Sequence, residues 1–358
     1  MTTIINSETI REKFSVARGL GKRAKDAAHS IGISEGEAVA AHCGIHDYAP
    51  KAKALKSNWI ALLQALETCG PLMALTRNEA VVHEKTGVYQ NISANGHVGI
   101  ALSEDIDLRL FFSQWHAGFA ITELAANPQN RPQSSLQFFN KHGLAVHKIF
   151  PRDQTNMAQW SSLIEANWDP DLTPSFLPKE KERAIAPDSD FDVSVLLEDW
   201  AAMQDTHEFF GLLKKHNLER QQSLRLVSGT YTQRMAKTAV RDLLTVAAFD
   251  AVPIMCFVGN AGCIQIHSGL VRRIEPMDIR GQSWLNVLDP KFNLHLCEDQ
   301  IDTCWMVRKP TADGFVTSLE VFDKSGELMT MFFGVRKPGQ TENEAWREVL
   351  SQLPALTE

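Results

Sequence analysis

The sequence predicts an α+β fold made by tandem duplication, with two similar halves that each carry a large antiparallel β-sheet and flanking helices. Three observations predict it. The hydrophobic period changes from helical to strand-like near Leu72 and again near Val252. The order of elements, helices then strands then a closing helix, occurs twice. Four segments of the first half also align with four of the second at a nearly constant shift. Asn78 matches Asn260, Ser135 matches Ser318, Leu108 matches Leu294 and Trp160 matches Trp346, at 182, 183, 186 and 186 residues. Self-similarity at one spacing is the mark of an internal repeat. The expected division is 1–185 and 186–358.

In chain order, residues 7–43 read as helical, with a turn at Ile31-Gly32-Ile33 and a new start at Ser34, where Glu37 completes a capping box. Residues 57–68 form an amphipathic helix stopped by Gly70-Pro71. Short runs of β-formers follow at Leu72–Thr76, Ala80–His83, Gly87–Ile92, His97–Leu102, Asp107–Phe112, His116–Ile121, Ser134–Phe139 and Val146–Phe150, an antiparallel meander. A helix from Thr155 to Asn167 closes this half. Residues 169–190, punctuated by Pro170, Pro174, Pro178 and Pro187, read as a linker. Helices are then expected over 192–204, 205–216, 219–227 and 234–247, strands from Val252 to Gly334, and a last helix from Glu342 to Leu353.

Composition narrows the function classes. The 358 residues are 44% hydrophobic and 22% charged, as in a globular protein. A formal charge of −7 argues against nucleic acid as a partner. No secretory signal is visible at the N-terminus and no apolar run reaches membrane-spanning length, so the protein is not expected to be membrane-embedded. Six cysteines, none in a C-x-x-C pair, suit a reducing cytoplasm and give no zinc site. There is no P-loop, no Ser-His-Asp signature and no dinucleotide fingerprint.

The helix at 205–216 carries the most chemistry. Asp205 reads as its N-cap with Glu208 completing a capping box. Phe209, Leu212, Leu213 and His216 mark its buried face, and Asn217 is a left-handed stop. His207 then falls in the first turn, where the helix dipole disfavours imidazolium. A neutral imidazole suits a transition metal or haem iron, although a surface or capping histidine is the ordinary alternative.

The chain resembles the bacterial hemin-trafficking and haem-degrading proteins (HemS/ChuS/PhuS-like). The residues that carry the resemblance are Trp200-x-x-Met203-x-Asp205-x-His207-x-Phe209-Phe210, Lys214-x-His216-Asn217-Leu218-x-Arg220-Gln221-Gln222, Phe257-Val258-Gly259-Asn260, Trp284-Leu285-Asn286 and Val307-Arg308-Lys309-Pro310-Thr311-x-Asp313-Gly314. In the first half they are Arg77-Asn78-Glu79-x-x-x-His83-Glu84 and Asp107-Leu108-Arg109-Leu110-Phe111. The resemblance runs from about residue 30 to the end. It implies haem (iron protoporphyrin IX) bound mainly on the C-terminal half. His207 is implied as the axial ligand to iron, and Arg109 lies on the distal side. Arg220, Lys309 and Arg336 hold the propionates, and His83 marks a second haem in some members.

The residues agree with what the resemblance implies. Haem needs an imidazole, a flat apolar slot and cations for two carboxylates. Phe209, Phe210, Phe257 and Phe333 offer apolar walls. Many relatives have Tyr where this chain has Phe333, so one hydroxyl is absent here. Strand alternation puts Asp107, Arg109 and Phe111 on one face, where a guanidinium can polarise a water or oxygen beside the ring. Arg308 and Lys309 alternate, so one of them faces the ligand, and the resemblance selects Lys309. His83 has Gln265 as its repeat partner, so the halves are not equivalent as metal sites. The expected function is a cytoplasmic protein that accepts imported haem and degrades it, opening the ring and releasing iron. Its expected partners are the inner-membrane haem importer and an electron donor or downstream oxygenase. The alternatives are a non-enzymatic carrier and an interaction protein that binds no haem.

Overall fold

Eighteen strands form two nine-stranded sheets in the computed structural model, which describes residues 6–123, 132–179, 185–336 and 339–356. The strands of the first half are β1 (Lys51–Ala54), β2 (Leu72–Arg77), β3 (Val81–Gly87), β4 (Ser93–Asn95), β5 (Val98–Leu102), β6 (Asp107–Phe111), β7 (Ala117–Glu123), β8 (Gln133–Phe139) and β9 (Ala145–Pro151). Those of the second are β10 (Thr232–Met235), β11 (Ile254–Asn260), β12 (Cys263–Gly269), β13 (Ile274–Ile279), β14 (Gln282–Asp289), β15 (Phe292–Cys297), β16 (Ile301–Thr311), β17 (Gly314–Asp323) and β18 (Leu328–Gly334). The sheet orders are β1-β7-β8-β9-β2-β3-β15-β14-β13 and β10-β16-β17-β18-β11-β12-β6-β5-β4. Each sheet takes six strands from one half of the sequence and three from the other, in matching order.

The helices among the described residues are α1 (Ser7–Gly19), α2 (Ala24–Ser30), α3 (Glu35–Ala41), α4 (Trp59–Ala65), α5 (Met157–Asn167), α6 (Val193–Ala201), α7 (Glu208–His216), α8 (Arg220–Leu226), α9 (Ala239–Phe249) and α10 (Glu344–Ser351). The capping box at Ser34 and Glu37 forms as expected. The stretch read as one helix over 7–30 breaks at 20–23, because Gly21 adopts φ +79, outside helical space. Three short strands escaped the sequence reading, among them Ser93–Asn95, which pairs with β5. Lys51–Ala54 has little β propensity, yet its alanines are buried and it pairs with β7. Thr232–Met235, partly assigned to the 234–247 helix, pairs with β16. Residues 88–92, expected to be a strand, are not one. Residues 180–184 of the expected linker lie outside the described residues.

The chain folds into two compact units. The first comprises Met1–Arg77, Glu84–Glu180 and Asn260–Gln265, and the second Asn78–His83, Lys181–Gly259 and Ile266–Glu358. Within the second unit, one apolar cluster joins α9 and α10 to Ile254, Cys256, Leu319, Val321 and Phe332. Another joins α6, α7 and α8 to Trp305, Val307 and Phe322. Strand alternation places these clusters on opposite faces of the β16-β17-β18-β11 ladder. The first unit repeats the scheme, with α4 and α5 in one cluster and α1 to α3 supplying others.

The matched asparagines reveal the repeat at atomic level. In the second unit, Asn78 donates from Nδ2 to the carbonyls of Met329 (2.8 Å) and Gly259 (3.3 Å) and accepts at Oδ1 from the Ala80 and Val81 amides. In the first unit, Asn260 donates to the carbonyls of Arg77 and Val146 (2.9 Å each) and accepts from the Gly262 and Cys263 amides.

Candidate functional site

His207 lies one residue before α7, with helical φ −70 and ψ −21. The expected capping box between Asp205 and Glu208 does not form: the N-cap is His207 itself, so His207 precedes the first turn instead of lying in it. Glu208 accepts from the Gln204 amide (2.9 Å), and Asp205 Oδ1 accepts from the His207 amide (2.8 Å) and from His207 Nδ1 (2.6 Å). A carboxylate can only accept here, so Nδ1 is the donor, and in the neutral ring the lone pair falls on Nε2. The side chain is 93% exposed. A carboxylate behind Nδ1 is the usual support of a metal-ligating histidine, because it fixes the tautomer and raises the basicity of the other nitrogen. The two bonds from His207, backbone first, hold the Asp205 carboxyl below its usual range, and the charge of Arg336 contributes a smaller part. The other end of α7 matches expectation, since Asn217 is left-handed at φ +54.

Two residues past His207, Phe209 turns inward and packs edge-to-face on Trp200, with centroids 5.0 Å apart. Its ring also covers two cations. Lys309 Nζ lies 4.4 Å from the ring centroid and the Arg220 guanidinium 5.0 Å. Arg220 is the first residue of α8, and Lys309 is on β16. Phe209 thereby links the histidine segment to the face of the β16-β17-β18-β11 ladder. Register partners share a face, so Ser318 and Glu320 of β17, Met331 and Phe333 of β18, and Met255 and Phe257 of β11 lie together there. Phe257 and Phe333 meet edge-to-face, with centroids 5.1 Å apart. Phe210, one residue further along α7, is exposed instead.

The cations are not bare. Glu320, wholly buried, accepts from Arg220 Nε (2.7 Å) and Nη2 (2.8 Å), from Lys309 Nζ (2.7 Å) and from Ser318 Oγ (3.2 Å). Burial alone would raise its carboxyl, but Arg220 and Lys309 outweigh that and hold it ionised, far below the ordinary carboxylate range. Lys309 is 3% exposed, whereas Arg220 keeps part of its guanidinium at the surface. Sequence reasoning selected both cations and missed Glu320. A charged residue between Leu319 and Val321 on a strand was the available signal, because such a position is buried unless the sheet faces water.

The remaining expected site residues fall as follows. Arg336 follows β18 and donates to the Gln340 carbonyl. His83 is wholly buried in the second unit, with its ring 4.9 Å from Phe292, so its imidazole is closed to solvent. Arg109 belongs to the first unit, on β6, and donates to the Asp107 carboxylate and to the Leu108 carbonyl. Register puts Val98 opposite Phe111, Ile100 opposite Arg109 and Leu102 opposite Asp107. Val98, Ile100 and Leu102 are exposed, so the guanidinium rises from an apolar sheet surface.

No helix among the described residues is long and apolar enough to cross a membrane. Comparison with known proteins gives concordant matches. A family model described as the haemin-degrading HemS.ChuX domain matches residues 32–167 and again 217–353. The hemin transport protein HmuS of Yersinia pestis is 41% identical over 335 residues, covering 93% of each chain. HemS of Yersinia enterocolitica, also a hemin transport protein, is 38% identical, covering 97% of this chain and 98% of its own. The heme-binding protein PhuS of Pseudomonas aeruginosa in its holo form superposes with a TM-score of 0.90 at 43% identity, covering 98% of this chain and all of that one. ChuS, an E. coli heme oxygenase, gives 0.84 at 37% identity, covering 96% and 99%.

Proposed function

The chain belongs to the haemin-degrading HemS/ChuX family, and from that premise we propose that it is a cytoplasmic protein that binds imported haem through His207 and opens the ring to release iron. The observation that carries this reading is the state of His207. Its Nδ1 is committed to Asp205, which leaves Nε2 as the ring nitrogen available to a ligand on an exposed side chain. The same unit also carries the residue types that haem needs. Phe257 and Phe333 are apolar rings, and Arg220 and Lys309 are cations for carboxylates, with Arg336 as a third. The donor set therefore fits haem, which supplies the redox chemistry when bound. The protein side is a division of labour. His207 would ligate the iron, Phe257 and Phe333 would exclude water, and the cations would hold the carboxylates. Arg109, set among Val98, Ile100 and Leu102, would supply N–H donors to negative charge that develops on a bound ligand. Haem is delivered by the inner-membrane importer, and electrons come from a separate donor.

A second reading, a carrier that hands haem to another oxygenase, is favoured by the names of the Yersinia relatives, which are hemin transport proteins. One experiment separates the two. Apo protein is titrated with haem and then given a reductant in air with catalase present, since free peroxide also destroys haem. His207→Ala is expected to lose the wild-type Soret band and affinity, and an unchanged spectrum removes His207 as the ligand. Arg109→Ala is expected to bind haem but turn it over on the order of 100- to 1000-fold more slowly. Wild-type protein that shows no catalase-insensitive turnover with several reductants is a carrier.

A further inference from the structure

We propose that the C-terminal end of α1 and the corner behind it dock the protein reversibly on an anionic phospholipid surface. Between Glu12 and Asp26 the sequence holds no acidic residue and five basic ones, Lys13, Arg18, Lys22, Arg23 and Lys25, in a chain whose formal charge is −7. Two of the five are answered locally. Arg18 pairs with Glu123 at 2.9 Å, and the charge of Lys25 acts on Glu35. Lys13, Lys22 and Arg23 form no ion pair among the described residues. Helical spacing puts Lys13, Val16 and Leu20 on one flank of α1, turned away from the buried Phe14 and Ala17. Val16 is 68% exposed and Leu20 76%. Leu20 caps α1 between Gly19 and Gly21, and the space over both glycines is open. Gly21, at φ +79, turns the chain, so Lys22 and Arg23 follow at once. The result is an apolar tip with cations on either side of it. Such a tip enters the boundary between headgroups and acyl chains while its cations meet the phosphates. Each free cation is worth about fivefold in partition near such a surface, which makes the hold weak enough to release. Negative charge elsewhere on the chain is screened beyond about 8 Å at physiological ionic strength. The repeat supplies an internal contrast. The counterpart stretch, α6 to the start of α7, carries Glu198, Asp199, Asp205 and Glu208 and no Lys or Arg before Lys214. The basic tip is thus peculiar to the first unit. At the bilayer the protein would collect haem where an inner-membrane importer releases it, a use that rests on the haem reading above, whereas the docking surface itself does not.

The test is co-sedimentation of the full chain with vesicles of phosphatidylcholine alone and of equimolar phosphatidylcholine and phosphatidylglycerol. The protein is expected to bind the anionic vesicles, to stay in solution with the neutral ones, and to be released at about 1 M salt, where the screening length falls to about 3 Å. Lys22→Gln combined with Arg23→Gln is expected to lower the partition by about 25-fold, two charges at about fivefold each. Leu20→Ser is expected to lower it by about tenfold. The variants are expected to keep the wild-type circular dichroism spectrum and haem titration, which separates loss of docking from loss of fold. Wild-type protein that leaves the anionic vesicles unbound overturns the inference, and this is the result that an acidic protein partner in place of lipid would give. Binding that Lys22→Gln with Arg23→Gln leaves unchanged, or that Leu20→Ser leaves unchanged, overturns it as well. A chain that binds the vesicles as expected but takes up no haem overturns the haem reading alone.

Discussion

On the proposed reading, Asp205 prepares the exposed His207 as a ligand. Its two hydrogen bonds, to the amide and to Nδ1 of the same residue, hold backbone and ring together. Loss of such a support typically costs 10- to 100-fold in metal affinity, so Asp205→Ala should weaken haem binding by about that factor. Titration checks this, and an affinity unchanged from wild type would show that the carboxylate does not matter. His83 has a parallel test. A second equivalent of haem that disappears in His83→Ala would establish a site there at the expense of the Phe292 packing, whereas a single equivalent leaves His83 in the core. Residues such as His207, Arg220 and Lys309 were legible because they sit in long ordered motifs. Glu320 was not, because its role exists only where β16, β17 and the start of α8 meet, a coincidence of positions 309, 320 and 220 that no local pattern encodes.

Among the elements, helix ends were easier to read than short strands. Asn217 closes α7 in left-handed space, which asparagine and glycine adopt at lower cost than alanine. Asn217→Ala should therefore cost about 1 kcal/mol and Asn217→Gly almost nothing, as chemical denaturation would show. The N-cap of α7 falls two residues later than expected, at His207, because Asp205 spends its carboxylate on His207 instead of on the Glu208 amide. The strands Lys51–Ala54 and Thr232–Met235 carry no signal of their own and exist through distant partners, β7 and β16. The repeated asparagines give a matched pair of predictions. Asn78→Ala and Asn260→Ala each remove a side chain that donates twice and accepts twice. Each should lower stability by about 2–4 kcal/mol, and a negligible effect at either position would deny that the two turns play equivalent parts.

For the whole molecule, acid sensitivity should begin near neutrality rather than at the carboxylates. His147 is sealed in the first unit between Thr76 Oγ1 (2.9 Å) and Tyr89 OH (2.7 Å), and burial pushes its imidazole down to about 3. Burial likewise brings His42 to about 4. Both values lie below that of the unfolded chain, so the unfolded state binds more protons as pH falls below about 6.5. Stability should be complete above that pH and decline towards pH 4 by about 1.4 kcal/mol per pH unit for each group. Urea unfolding at pH 7, 6 and 5 measures the slope, and a flat profile would mean that neither histidine is held neutral by the fold. The exchanged segments carry a consequence in time. The first unit includes Asn260–Gln265, whose Gly262 carbonyl receives the Phe111 amide and the Trp115 indole and whose Gln265 donates to the Ala74 carbonyl. Gln265 is translated 85 residues after Glu180, the end of the preceding segment of that unit. At about 5–20 residues per second the ribosome needs roughly 4–17 s to supply it. For that interval the nascent first half holds a gap where its own last piece belongs, so a chain released at the linker should be captured by chaperones or proteases rather than stand as a finished domain.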